Sequence, residues 1–442
     1  MRLEIEKLRG WVNPGDAFLA MHSKDPNAFW LDRSTNQDEP VSIIGSAGSV
    51  IKAEDEAFAL ASEHLGAINQ ELVSLPDEQI PFSFRPGLVG YLGYELGDEG
   101  NAGIHPKSQF MIVDRAMVFD HSTKSMYFIG LFETRDEFVN WYRAALLRLT
   151  LVGGEVAAYK QKTKQPKLIS SSLRHSKQSY LELIQRAKEH IKTGDVFQLC
   201  LTNQISIEHD ADALKTFLSL RESNPAPYGG YLKLGDVEIV SSSPEQFLKV
   251  SASGKVSSKP IKGTRPRSKD LAEDAQIADE LVNNEKERAE NLMIVDLMRN
   301  DLGRVCESDS IVVEKLFDIE SYATVHQLVS TVTGTLRAGQ SATSALAACF
   351  PAGSMTGAPK IRAVEILKEL EASPRDIYSG AFGYLGFDGS ADFGMTIRTL
   401  VFEGNSASLG VGGGITIDSD PASEFEETML KSKALLRALE GN

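Results

Sequence analysis

The chain has 442 residues, 42% of them hydrophobic and 24% charged, which is the make-up of a globular protein with one large domain or two ordinary ones. Its net charge of −15 disfavours a nucleic acid or an anionic membrane as partner, and an anionic substrate would need local cations or a metal. Cys200, Cys306 and Cys349 show no paired spacing, no apolar run nears the roughly 20 residues of a membrane helix, and no leader pattern opens the chain, so a cytoplasmic setting is expected.

Residues 1–152 read as short strands and turns with two helical stretches; Phe29-Trp30-Leu31, Val89 to Leu92 and Ala116 to Phe119 are strand-like runs between Gly, Asp or Pro. Residues 153–175, with Lys160, Lys162, Lys164 and Lys167 around Pro166, read as a solvated linker or loop. Residues 176–442 alternate helices and strands. A helix is expected from Ser176, with Leu183, Ile184, Ala187 and Ile191 on one face. Strands are expected at Val237 to Val240 and Ile311 to Val313, and one long helix or two in series over Leu271 to Leu302. Further helices are expected over Ser341–Cys349, Pro359–Leu370 and Phe425–Leu439. The run Val89 to Tyr94 resembles Phe382 to Phe387, which suggests equivalent strands in two related sheets, or a coincidence of glycine-containing strands. One α+β or α/β unit with two packed sheets is preferred over separate domains, the first and last regions being intertwined.

Glu424, Glu427 and Lys431 lie on one helical stripe, and Glu287 and Glu290 stand three apart on another helix that becomes apolar all round after Glu290. Two such carboxylate pairs offer hard oxygen ligands for Mg²⁺. Equally, Glu290 can pair with Lys286 one turn back. The loop Lys259 to Arg267 carries four cations around Gly263-Thr264; Lys262 is a nucleophile if it sheds its proton, and otherwise the loop is a solvated basic surface. Gly410 to Gly414 can turn amides toward an anion but precedes a strand-like stretch, so it is no dinucleotide fingerprint, and a turn or close strand packing explains it as well. Gly353 to Lys360 lacks phosphate-loop spacing and leads into a helix at Pro359. His326 reads as a hydrogen-bonded core residue or a site residue, and Arg398 as an inward cation for a carboxylate of either the protein or a ligand.

In order, Pro260 to Arg267, Arg288 to Asp301, Gly357 to Lys360, Tyr378 to Ala381, Thr396 to Thr399, Gly412 to Gly414 and Glu424 to Thr428 resemble the motifs of chorismate-utilising enzymes, densely over residues 175–440 and loosely before. The resemblance implies an α+β fold of two packed antiparallel sheets flanked by helices, with the active site between them. It implies Mg²⁺ held directly by Glu290 and Glu427, and through waters by Glu287 and Glu424, neutralising one substrate carboxylate. Arg398, Tyr378 and the amides of Gly412, Gly413 and Gly414 would clamp the other, with Gly263, Thr264, His326 and Lys431 lining the ring or its carboxylate.

Within that family, anthranilate synthases carry Ala where Lys262 stands, whereas aminodeoxychorismate synthases carry the Pro-Ile-Lys-Gly-Thr form found here. By that similarity Lys262 adds to the chorismate ring as the 4-hydroxyl leaves, and Glu245 protonates the departing oxygen. Ammonia then displaces the lysine to give 4-amino-4-deoxychorismate, the precursor of 4-aminobenzoate and folate. Pyruvate loss would fall to a separate lyase. No cysteine here has the flanks of a glutaminase nucleophile, so the ammonia is expected from a separate glutamine amidotransferase subunit. The alternative is the large subunit of an anthranilate synthase. Isochorismate or salicylate synthases and a non-catalytic chorismate-binding subunit fit the loop and the intact acids less well. Tryptophan-regulated relatives carry Leu-Leu-Glu-Ser where this chain has Phe29 to Ser34, and Trp30 is expected to fill the space a regulatory tryptophan would take.

Overall fold

A computed structural model describes residues 1–71, 80–96 and 103–440. The first part of the chain forms β1 (Arg2–Leu8), α1 (Pro14–Met21), β2 (Asn27–Asp32), β3 (Val41–Ser46), β4 (Val50–Ala53), α2 (Ala57–Glu71), β5 (Gly87–Leu92), β6 (Ser108–Val113), β7 (Arg115–Asp120), β8 (Ser125–Phe132) and α3 (Arg135–Leu149). The middle follows as α4 (Glu155–Lys162), β9 (Leu168–Leu173), α5 (Lys177–Lys192), β10 (Gln198–His209), α6 (Ala213–Ser223), β11 (Tyr228–Leu234), β12 (Val237–Ser243), β13 (Gln246–Val250), β14 (Lys255–Lys259) and β15 (Ile261–Pro266). The last part holds α7 (Leu271–Asn283), α8 (Glu285–Gly303), β16 (Val312–Ser321), β17 (Val325–Thr335), α9 (Ala342–Cys349), β18 (Gly357–Ala358), α10 (Lys360–Glu371), β19 (Ala381–Gly386), β20 (Ala391–Met395), β21 (Thr399–Glu403), β22 (Ser406–Ile415) and α11 (Pro421–Leu439).

The strands make two antiparallel sheets. A 12-stranded sheet runs β1-β8-β7-β3-β2-β11-β12-β21-β22-β10-β18 with β9 also on β10, and a 10-stranded sheet runs β15-β17-β14-β13-β20-β19-β5-β6-β4 with β16 on β17. Strands from both ends of the chain share each sheet. Phe29, Leu31, Val118, Leu232 and Ile239 of the larger sheet meet Val89, Tyr91, Met111, Phe382 and Tyr384 of the smaller in one buried cluster between the sheets. Outside, Phe18, Phe138, Phe217 and Leu435 cover the larger sheet, and Ala61, Ile294, Met298 and Leu346 cover the smaller. The order is therefore helices, sheet, sheet, helices, as burial of one apolar face per sheet on each side requires. Among the described residues no helix is long and apolar enough to cross a membrane.

Local chemistry accounts for most boundaries. Ser176 caps α5 on the amide of Ser179, and Tyr180, Leu183, Ile184 and Ala187 form its buried face. The stretch from Leu271 to Leu302 is two helices because Asn284, in an extended conformation, ends α7 and caps α8 through the amide of Glu287. Pro359 stands at the N-cap of α10, one step before the first turn.

Three expectations are corrected. The two similar glycine-containing runs do not belong to separate sheets: β5 and β19 are direct neighbours in the smaller sheet, with Gly90 opposite Gly383. Residues 153–175 hold α4 and β9 rather than a plain loop. α4 rests Val156 and Tyr159 against the core and pairs half-buried Lys160 with Glu222, leaving Lys162 in solvent, and β9 is a Ser-rich edge strand whose ladder bonds to β10 come from the backbone. Among the described residues the first region has three helices, α1, α2 and α3, where two helical stretches were expected.

Candidate active site

The site is assembled where β15, α8, β22 and α11 converge. Within α8, Glu290, Asn291, Ile294, Val295, Met298 and Leu302 are buried, so the helix enters the protein just as its acidic turn ends. Asn291 Nδ2 donates to the Pro260 carbonyl at 3.3 Å, and the amide of Ser330 donates to the same oxygen at 3.2 Å. The junction of β14 and β15 is thereby pinned against α8. One residue later the ladder with β17 slips: Lys262 pairs with Leu328 but Thr264 with Gln327, leaving Gly263 as a bulge at φ +77°. A Cβ at Gly263 would stand 2.7 Å from the Leu281 side chain of α7 and 2.9 Å from the Glu287 carboxyl carbon of α8, and with the positive φ this favours glycine at the turn.

The bulge aims Lys262 into the site, where its Nζ stands 3.8 Å from Glu290 Oε2. The other oxygen of Glu290 faces Lys286, 3.9 Å away, and the same ammonium lies 3.6 Å from Glu424 Oε1. Glu424 is buried on α11, whose N-terminus is set by Asp420 as cap and Pro421 in the first turn; its Oε1 also accepts from Ser419 Oγ at 2.7 Å. The glycine run of β22 passes between the two acids. A Cβ on Gly413 would lie 3.4 Å from Glu424 Oε2, and one on Gly414 3.6 Å from Glu290 Oε2. Lys431 Nζ donates to the Gly412 carbonyl at 2.9 Å and pairs with Glu427 at 2.9 Å. Arg265 reaches Glu287 at 3.4 Å.

Charge in this cluster is finely divided. Burial raises the carboxyl of Glu290 above its ordinary range, although Lys262 and Lys286 oppose the shift. Burial also acts on Glu427, but Lys431, Lys286 and Lys262 outweigh it and hold that carboxyl low. Burial would lower Lys286, yet Glu424, Glu290, Glu427 and Glu287 together raise it. Glu245, between β12 and β13, is buried, and desolvation pushes its carboxyl up to about 7 against the pull of Lys262 and a hydrogen bond from Ser354. A carboxyl so placed carries a proton near neutrality.

On the other side, Arg398 does not alternate along a strand. It occupies the turn between β20 and β21 at φ +51°, half-buried, with Tyr378 and Glu427 as its electrostatic neighbours. The Tyr378 ring lies against Gly410, where a Cβ would fall 2.0 Å from it. β21 leaves β22 after Leu409, so among the described residues the outer edge of the glycine run has no strand partner. Across β10, Cys200 and Thr202 spend their amides on Thr356 and Glu371. By the alternation of an antiparallel ladder, Gly412 and Gly414 therefore face the free edge and Gly413 is bonded into the sheet.

Lys262, Glu245, Glu287, Glu290, Glu424, Glu427, Lys431, Tyr378, Arg398 and Gly412–Gly414 thus form one neighbourhood where β15, α8, β22 and α11 meet. His326 and Thr264 are placed differently. His326 is buried with Nε2 at 3.0 Å from Asp274 and Nδ1 at 2.8 Å from Ser321, so both ring nitrogens are engaged with α7 and β16. Thr264 is exposed on β15. Sequence reasoning gave no role to Ser354 or Ser419, and it named Arg265 only as a cation of the loop and Lys286 only as a helical neighbour of Glu290, because side-chain contacts that form on folding leave no local signature.

The four carboxylates suit a hard divalent cation in chemistry, and Glu290 and Glu424 already converge on one cationic group. Among the described residues, however, no three acidic, histidine or cysteine side chains are grouped closely enough to hold a metal ion. Binding one would require these flexible carboxylates to turn inward around it.

The sequence matches the model of chorismate binding enzymes over residues 26–437. The chain belongs to that family. Aminodeoxychorismate synthase of Streptomyces griseus is 40% identical over 450 residues, an alignment that takes in 96% of this chain and 62% of that protein. The anthranilate synthase component 1 of Streptomyces coelicolor is also 40% identical, over 99% of this chain and 88% of that one. The chain spans less than two thirds of the length of the Streptomyces aminodeoxychorismate synthases it matches. The crystal structure of anthranilate synthase component I from Streptococcus pneumoniae superposes with a TM-score of 0.76 at 26% identity, covering 98% of this chain and 92% of that one. This chorismate binding enzyme therefore has the two-sheet α+β architecture that its motifs imply.

Proposed function

We propose that the chain aminates chorismate to 4-amino-4-deoxychorismate, using ammonia released from glutamine by a separate amidotransferase in the cytoplasm. Equal 40% identity to an aminodeoxychorismate synthase and to an anthranilate synthase component does not separate the two chemistries. The observation that carries the choice is the placing of Lys262: its amine enters the carboxylate cluster, and the buried acid Glu245 is close enough for the two charges to interact.

In this reading deprotonated Lys262 forms a C–N bond to the ring while the bond from the ring to the 4-hydroxyl breaks. Glu245 gives its proton to the departing oxygen, which leaves as water; unassisted hydroxide is a poor leaving group near neutral pH. Ammonia then forms the new C–N bond, the lysine amine departs, and the surplus proton returns to Glu245. Arg398, Tyr378 and the outward amides of Gly412 and Gly414 orient one substrate carboxylate, with Lys431 beside them. Glu290 and Glu427 directly, and Glu287 and Glu424 through water, would hold Mg²⁺, which when bound supplies positive charge for the other carboxylate. His326 and Thr264 would reach the ring only after a local rearrangement of α7 and β15.

The test is a product assay with purified protein, chorismate, MgCl₂ and ammonium chloride. The proposal expects 4-aminobenzoate only when an aminodeoxychorismate lyase is added. Fluorescent anthranilate formed without the lyase would replace it with the anthranilate reading.

A further inference from the structure

Lys286 occupies an unusual position for a residue in the first turn of a helix. Its ammonium lies 3.9 Å from Glu290 Oε1 and 3.6 Å from Glu424 Oε1, and so joins acids carried by α8 and α11. Both acids are buried, and a buried carboxylate without a counter-charge is costly. The remaining oxygens are directed elsewhere: Glu290 Oε2 faces Lys262, and Glu424 Oε2 faces the glycine run of β22. The two Oε1 atoms are therefore the pair that one shared cation would use, and an ammonium now sits between them. The Lys286 side chain is 54% exposed, so it can withdraw into water by rotating about its own bonds.

We propose that Lys286 is a built-in placeholder cation, which holds Glu290 and Glu424 together in the metal-free protein and leaves when a divalent ion binds. Metal uptake is then an exchange of one cation for another, opposed by an intramolecular ion pair. This rests on the reading of these carboxylates as the metal site. It assigns Lys286 a role in metal affinity and in the stability of the metal-free state, and none in bond making. The same arrangement keeps the acidic helices α8 and α11 from separating when no metal is present.

The test titrates MgCl₂ alone, by calorimetry, into the native full chain, Lys286→Gln and Lys433→Gln, the last removing an exposed charge elsewhere on α11. If the ammonium occupies the site most of the time, Lys286→Gln binds Mg²⁺ roughly tenfold more tightly and Lys433→Gln binds as the native chain does. Melting temperatures in chelator and in saturating MgCl₂ give a second readout. Lys286→Gln should melt below the native chain without metal and match it with metal. Unchanged or weaker Mg²⁺ binding by Lys286→Gln overturns the proposal, as does equal tightening in both variants. Tighter binding with undiminished metal-free stability also overturns it, because Lys286 would then only repel the metal. If the native chain and both variants bind no Mg²⁺, the metal reading falls and the placeholder with it.

Discussion

The amine of Lys262 and the carboxylate of Glu290 stand 3.8 Å apart, so the proposed nucleophile and a proposed metal ligand share one charge balance. Glu290 is held above the ordinary carboxylate range by burial, against Lys262 and Lys286. Its folded pKa exceeds its unfolded one, so the stability it contributes is present at low pH and lost as pH rises through the folded value. Glu290→Gln escapes that loss. We predict that the variant is more stable to urea than the native chain in mildly alkaline, metal-free buffer, that the gap closes on acidification, and that Mg²⁺ affinity falls about tenfold or more. A less stable variant in alkaline buffer would contradict the assignment of strain to this acid.

Glu245 gives a second pH signature. Burial moves its carboxyl from the ordinary 4.5 to about 7. As a proton donor it should support loss of the 4-hydroxyl below about 7 and fail above it, and Glu245→Gln should slow that step by about 10²–10⁴-fold. Stability moves in the same direction: roughly 3 kcal/mol is lost as pH rises from the ordinary carboxylate range through the folded value. Single-turnover rates and urea midpoints measured across that range for both proteins check the two effects together. A rate that is flat through neutrality would remove Glu245 from the acid role.

Much of this was legible in the sequence, and the exceptions have physical causes. Helices α5, α9 and α11 announce themselves through caps and apolar faces, and the motif order around Lys262, Glu290 and Glu427 marks the site. The neighbour relation of β5 and β19 is not legible, because strand pairing depends on which buried faces meet across distant segments. α4 hides because only Val156 and Tyr159 of its eight residues pack against the core, too few to set an apolar period. His326 shows the limit of motif reading: its position is marked, but Asp274 and Ser321, from neighbouring elements, decide where its ring nitrogens point. Lys286 and Arg265 acquire meaning only when α8 is laid beside α11 and β15.

Gly410 tests the geometry of the Tyr378 and Arg398 side of the site. Its missing side chain is what lets the Tyr378 ring lie against β22. Gly410→Ala should displace that ring, cost about 1–3 kcal/mol in thermal unfolding, and raise the KM for chorismate. Native stability together with a native KM would show that Tyr378 has room to move without consequence for the substrate.

Tryptophan should not bind tightly to the N-terminal part of the protein. Trp30 is fully buried among Phe18, Phe217 and the Arg221 guanidinium. Nearby, buried Arg33 stacks 4.2 Å over the Tyr228 ring. Little of β2 is left open to a ligand indole. Calorimetry is expected to give no heat with micromolar tryptophan; saturable binding in that range would restore feedback control as a property of this chain.

The covalent role of Lys262 is tested most directly by the mass of the protein itself. The native chain is incubated with chorismate and MgCl₂ in the absence of ammonia, quenched in acid, and analysed intact and after digestion. The account predicts a population heavier by one chorismate less one water, with the added mass on the peptide containing Lys262, discharged to 4-amino-4-deoxychorismate when ammonia is supplied. An unmodified protein that still forms this product on addition of ammonia would contradict it, and ammonia would then attack the ring without a lysine intermediate.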